Sequence, residues 1–152
     1  MGDLASPKPK KLLDPLRDAR GLGYCLRGGI LFGILDGLIN TNPIASKLYE
    51  VYQPIAKTSI NFLAGVIIDL AYGFILAALF LLLYPSLPGE VGLAKGLSFA
   101  LMVWFFRVVM NVASQWMMFK VPVKALLYTL LAGLGEMLIL GILYGLALPP
   151  AK

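Results

Sequence analysis

The sequence predicts an all-α integral membrane protein: a four-transmembrane-helix bundle built as two tandem two-helix hairpins (a parallel repeat), with a short N-terminal helix and an interfacial helix near 43–53. Three observations predict it. Of 152 residues, 59% are hydrophobic and 14% charged, with a mean hydropathy of +0.83. Soluble domains run nearer roughly 45–50% apolar and about 25% charged. Apolar stretches recur at about 20 residues, the length that crosses about 30 Å of hydrocarbon. Pro/Gly punctuation after the second stretch marks a tight turn, so that the second and third spans are antiparallel neighbours.

Residues 1–20 read as a basic cytoplasmic arm: "ASPKPKK" has the composition of an unstructured tail, and Asp14-Pro15 supplies an N-cap and a first-turn proline for a short helix with Leu16 and Ala19 on its apolar side. Residues 21–152 form a single transmembrane domain with spans at about 21–41, 58–84, 95–119 and 123–147. The first span is short and glycine-rich. Arg27 and Asp36 interrupt it and no A-x-A site follows, so it is not read as a cleaved signal peptide. "NPIASKLYEVYQP" repeats the start signal, with Asn42 as cap and Pro43 in the first turn. Ile44, Leu48, Val51 and Tyr52 then share a face, with Tyr49 and Tyr52 near the headgroups. "YPSLPGE" is the tight turn between the second and third spans, and Trp116 with Met117 and Met118 anchors the third at the interface.

The net charge of +5 is concentrated in Lys8, Lys10, Lys11, Arg17 and Arg20, before the first span. That arm suits anionic lipid rather than nucleic acid. With Lys95 and Lys152 it outweighs Lys47, Lys57, Lys120 and Lys124, so the positive-inside rule places both termini in the cytoplasm of a bacterial-type cell whose inner membrane the chain crosses. Cys25 is the single cysteine and there is no histidine. This removes an intrachain disulfide and the usual ligands for haem, zinc and copper. No hydrolase elbow, P-loop, dinucleotide fingerprint or zinc signature is present. The expectation is no enzyme, no cofactor, no metal and no catalytic residue.

A shift of 68 positions aligns Gly28 with Gly96, Pro54 with Pro122, Leu63-Ala64-Gly65 with Leu131-Ala132-Gly133, and Gly73 with Gly141. The punctuation coincides as well as the apolar filler, which suggests a duplicated hairpin. Two spans separate the copies, so both keep one orientation.

Each span also holds an ionisable residue: Asp36, Asp69, Arg107 and Glu136. Small residues let membrane helices approach closely, so a small-residue stripe marks the inward face. Gly29, Gly33 and Gly37 flank Asp36; Gly65 and Gly73 bracket Asp69 at four-residue spacing; Gly133 precedes Glu136, with Gly141 and Gly145 beside it. Arg107 shares a face with Gly96, Ala100, Asn111, Ser114 and Gln115. The charges therefore point toward one another. Depth places Asp69, Arg107 and Glu136 near the midplane, so an Asp69–Arg107–Glu136 cluster is expected. Asp36 and Asn111 extend it outward, and Asn111, Ser114 and Gln115 form its polar lining. With both carboxylates ionised the cluster carries one negative charge in excess, to be met by a proton, a watered pocket or a cation.

Two functions fit. The first is a non-catalytic accessory or structural subunit of a larger membrane complex of respiratory or photosynthetic type, its charge cluster fastening the helices. Its partners are the lipid bilayer and other membrane subunits or a second copy, with no nucleic acid. The alternative is a small oligomeric transporter or ion- or proton-conducting protein that uses the midplane carboxylates.

Overall fold

The computed structural model describes residues 19–57, 59 and 61–147. Residues 1–18 of the basic arm, with the Asp14-Pro15 helix start, and Lys152 lie outside the described residues, while Ala19 and Arg20 already belong to the first long helix. Among the described residues all regular structure is helical, and four helices are long and apolar enough to cross a membrane: Leu22–Thr41, Phe62–Ser86, Gly92–Met118 and Val123–Ala147. In chain order the elements are α1 (Ala19–Thr41), α2 (Pro43–Leu48) running into a 3-10 segment (Tyr49–Ile55), α3 (Phe62–Leu83), α4 (Gly92–Trp104), a π segment (Phe105–Val109), α5 (Met110–Met118) and α6 (Val123–Ala147). The α4, π and α5 pieces form one rod. The result is a four-helix bundle with a turn end, carrying residues 84–91, and a loop end, carrying residues 42–57 and 119–122.

The start and stop signals act locally. The Asn42 side chain accepts from the amides of Ile44 and Ala45 at 3.0 and 2.9 Å, which opens α2 with Pro43 in the first turn. Of the α2 residues, Ala45 is the one buried against the bundle, while Ile44, on the apolar face expected of an interfacial helix, is 64% exposed. The second long helix begins at Phe62, not 58, because Asn61 caps it by accepting from the Ala64 amide at 3.1 Å. At the turn end Gly89 has φ +116°, a left-handed conformation that suits glycine. There Lys95 Nζ donates to the Tyr84 carbonyl at 2.7 Å and stands 4.6 Å above the Tyr84 ring, occupying a carbonyl that the end of α3 leaves free.

Packing follows the glycines. α1 lies on α3, α4 lies on α6, and α1 also meets α6. A Cβ on Gly73 would stand 2.8 Å from the Gly29 amide nitrogen and 2.9 Å from the Gly28 carbonyl oxygen. In the other hairpin the carbonyl of Gly141 occupies the place of a Gly96 Cβ, and the carbonyl of Gly96 that of a Gly141 Cβ; Gly92 and Gly145 repeat the arrangement one turn on. Backbones this close gain dispersion and Cα–H···O contacts that any side chain would abolish. Around them sits a dry cluster of Cys25, Phe32, Phe80, Phe99, Met137 and Tyr144. The Phe80 and Phe99 rings meet edge-on at 5.3 Å, and the Tyr144 hydroxyl donates to the Gly73 carbonyl at 3.2 Å.

Toward the loop end the first hairpin opens. Gly33 still faces Asp69, with its Cβ position 3.3 Å from that of Asp69, but Gly37 and Gly65 face open space. These two glycines belong to the expected packing stripes and do not pack, because α1 and α3 diverge one turn beyond Asp69.

Candidate functional site

The third membrane-length helix changes pitch at its middle. The Met110 amide reaches back five residues to the Phe105 carbonyl, and the Phe105 amide is shared between Leu101 and Met102. Such π turns insert one extra residue into a helix and recur at functional sites. This one carries Arg107. Opposite it on α6, Gly133 makes room: a Cβ there would stand 2.8 Å from Val108 Cγ2, so the glycine lets the π segment lie close beside Glu136.

Arg107 reaches residues on three other helices. Its Nη1 donates to Glu136 Oε2 at 3.0 Å and its Nη2 stands 3.8 Å from Asp36 Oδ1. The guanidinium carbon also lies 4.7 Å from the ring centres of both Phe32 on α1 and Tyr72 on α3. A planar, weakly hydrated cation suits such a place, since its edge serves carboxylates while its faces stack on rings. Glu136 is 4% exposed, whereas the side chains of Arg107 and Asp36 are 28% and 30% exposed.

The second carboxylate on Arg107 is thus Asp36, and Asp69 is not within ion-pair distance of it. The expected trio placed Asp69 at mid-height. With the helix running Phe62–Ser86, Asp69 sits about 7 Å from its middle toward the loop end, and its side chain faces Gly33 of α1. Tyr72, one turn nearer the centre, takes the position at the guanidinium.

These groups border a cavity of about 130 Å³ on the loop-end side, lined by Asp36 and Asn40 of α1, Tyr49 of the 3-10 segment, Arg107, Asn111, and Thr129 and Glu136 of α6. Asn40 Nδ2 donates to Asp36 Oδ2 at 3.0 Å and to the Asp36 carbonyl at 2.9 Å. Glu136 Oε1 is fully buried and has no hydrogen-bond partner. The chain from Asn42 to Ile55 closes the top: Tyr49 meets Thr129 at 3.2 Å, the Tyr52 hydroxyl donates to Gln115 Oε1, and Tyr128 donates to the Ile39 carbonyl at 2.9 Å. Tyr52 lies outside the membrane-length helices, and burial, with Tyr49 nearby, pushes its phenol pKa up.

Of the expected polar lining, Asn111 faces the cavity. Ser114 does not, since it donates back to the Met110 carbonyl of its own helix at 3.0 Å. Gln115 is engaged by Tyr52 at the rim. Phe32, Asn40, Tyr49, Tyr72 and Thr129 belong to the site without having been assigned to it from sequence. Asn40, four residues after Asp36 on the same helical face, is the one whose spacing could have revealed it.

The arrangement can hold a small polar species against a buried carboxylate. Among the described residues no group of three or more His, Cys, Asp or Glu side chains could hold a metal ion. Compared with protein-family models, curated proteins and solved structures, the chain matches none.

Proposed function

We propose that this protein is a small non-catalytic transporter or ion-conducting protein that takes a proton or small cation into the loop-end pocket, with Glu136 as the binding carboxylate. One observation carries the reading: an ionisable group 4% exposed, with one oxygen on Arg107 and the other unpartnered beside a polar cavity. An unpaired buried carboxylate oxygen is costly, and it persists where something else completes it. An accessory-subunit role asks only that Arg107 be matched. The clasp of Asp36, Glu136, Phe32 and Tyr72 meets that need but leaves the free oxygen and the cavity without a purpose.

In this reading the four helices cross the bilayer with both termini cytoplasmic, so the pocket lies toward the outer side beneath the cover formed by Asn42 to Ile55, and the aromatic cluster lies toward the cytoplasmic side. The paired hairpins support a duplication. Gly73 meets the backbone at Gly28-Gly29 in the first hairpin and Gly141 meets Gly96 in the second, near-equivalent places at the offset of 68.

The test is flux in proteoliposomes under a pH or cation gradient. Glu136→Gln is expected to abolish it while the protein keeps its helicity and its size in detergent. Wild-type flux in that variant would remove Glu136 from transport and end the proposal. Co-purification of the chain with a large complex from native membranes, with no flux from the isolated protein, would return the function to the subunit reading.

A further inference from the structure

We infer that the groove between α3 and the rod of α4 and the π segment is a lateral site for one neutral quinone-class molecule from the membrane. Arg107 and the Tyr72 phenol are the donors to its carbonyl. This site is distinct from the loop-end pocket and stands or falls without the transport reading, although Arg107 lines both spaces.

The groove exists because one edge of the bundle is not closed. α1 packs on α3, α6 on α4 and α1 on α6, but α3 and α4 are joined by the turn without close backbone packing along their lengths. Between them lies a space of about 340 Å³, walled by Leu76, Leu79 and Leu83 of α3 with Phe99 and Phe106 opposite. It runs about 16 Å from Leu83 at the turn end to Tyr72, at a rise of about 1.5 Å per residue. Leu76 and Phe99 are buried at its floor, while Leu79 and Phe106 are 40% and 69% exposed at its mouth. Whatever enters through that mouth comes from the hydrocarbon phase. Small-molecule sites are ordinarily apolar and aromatic spaces of about 300–1,000 Å³ with a few placed polar groups.

The polar groups stand at the inner end. Of the five N–H hydrogens of Arg107, one is bonded to Glu136 Oε2 at 3.0 Å, and Asp36 at 3.8 Å is beyond hydrogen-bond length. Among the described residues Arg107 makes no other hydrogen bond and the Tyr72 hydroxyl makes none. The Tyr72 ring lies 4.7 Å from the guanidinium carbon, so the two donors are neighbours. Donors without an acceptor are costly in hydrocarbon.

Charge and depth choose the acceptor. Asp36 and Glu136 already outnumber Arg107, so an anion would add a second surplus negative charge where a neutral carbonyl adds none. Arg107 lies about 3 Å from the middle of its membrane-length helix, whereas lipid headgroups begin about 15 Å from the midplane, half of a core about 30 Å thick. A phospholipid therefore keeps its ester carbonyls away from Arg107. A quinone can bring its head to that depth. Its carbonyls only accept, and its flat ring suits walls made by Tyr72, Phe99 and Phe106, with the tail along Leu76, Leu79 and Leu83.

The experiment adds decylbenzoquinone, decylbenzene or decanoate to the full chain in detergent and follows thermal unfolding. The midpoint is expected to rise saturably with decylbenzoquinone, because a molecule bound only by the folded state stabilises it. Decylbenzene keeps the ring and tail but has no carbonyl, and should bind about tenfold more weakly, the equivalent of one hydrogen bond to a charged group. Leu79→Trp fills the mouth of the groove from a partly exposed position and should abolish saturable quinone binding. Tyr72→Phe keeps the ring on Arg107 and should weaken quinone binding about two- to tenfold while leaving decylbenzene unchanged. A midpoint that does not saturate with decylbenzoquinone, equal binding of decylbenzene, or unchanged quinone binding in Leu79→Trp would overturn the site. Tighter binding of decanoate would overturn the neutral occupant, and unchanged quinone binding in Tyr72→Phe would overturn the hydrogen-bonded carbonyl.

Discussion

The turn-end and loop-end halves of the bundle are made from the same four helices and are held together by different physics. At the turn end, glycine backbones touch across each hairpin and Phe80, Phe99 and Tyr144 fill the space between hairpins, so contact is dry and close. At the loop end, α1 and α3 part beyond Asp69, the third helix widens into a π turn, and hydrogen bonds from Tyr49, Tyr52 and Tyr128 join a smaller apolar cluster of Val108, Val112 and Leu126. Glycine at the contact leaves no side chain to do chemistry. Where the stripe ends, room appears for charged groups and a cavity. The close half gives the open half a rigid base on which an unpaired carboxylate can be tolerated.

Removing the cation that crosses the boundary between the halves should have the largest effect. Arg107→Leu strands Asp36 and Glu136 together, and breaking one side of a buried pair costs about 3–5 kcal/mol. The triple variant Arg107→Leu, Asp36→Asn, Glu136→Gln should recover much of that loss, because no charge is left unmatched. Adding Asp69→Asn to Arg107→Leu in place of those two should recover little, since Asp69 faces Gly33. Denaturant unfolding in detergent checks this. Equal stability of single and triple variants would mean that the clasp is not an energetic unit.

Glycine substitutions separate the halves directly. Gly141→Ala places a Cβ on the Gly96 carbonyl, a backbone atom that cannot turn aside, so the second hairpin must spread at a cost of about 1–3 kcal/mol. Gly133→Ala meets a side chain, Val108, which can yield by rotating; its stability cost is expected to be smaller, with its effect falling on ion binding through the neighbouring Arg107. Gly65→Ala has open space and should be neutral or stabilising by up to about 1 kcal/mol, as alanine generally is over glycine in a helix. A ranking with Gly65→Ala as the most damaging would reverse the picture of where the hairpins touch.

The four long helices were legible to within a few residues because length and hydropathy mark them, and the Asn42-Pro43 signal placed α2 directly. The close approaches at Gly29–Gly73 and Gly96–Gly141 were foreshadowed by stripe spacing. Choosing between Asp36 and Asp69 required more than depth. A one-dimensional count fixes height along a helix to within a turn, but an arginine side chain spans more than a turn and pairs with whichever carboxylate the lateral packing presents. Phe32 and Tyr72 were illegible for the same reason, since an aromatic in an apolar helix has no pattern of its own until its neighbours are known. The π turn left no signature either: "FFRVV" reads as ordinary helix, and its extra residue comes from tertiary fit around Val108 and Gly133.

The smallest expected effect concerns the cover of the pocket, where Tyr52 donates its phenol hydrogen to Gln115. Burial raises the phenol's pKa in the fold above the ordinary value of about 10, with the neighbouring Tyr49 a second cause. A group whose folded pKa is raised contributes stability that is full below the unfolded value and is lost as pH climbs through the folded one. Closure should therefore be indifferent to pH across the physiological range and weaken only in alkali above pH 10. Phenolate absorbance of the wild type minus that of Tyr52→Phe isolates this titration from those of the other tyrosines. A midpoint above 10 is expected, along with a loss of about 0.5–1.5 kcal/mol in Tyr52→Phe at neutral pH, the usual worth of one hydrogen bond. A midpoint at or below 10 would mean that the phenol is free in solution, leaving Tyr49 and Tyr128 to hold the cover without it.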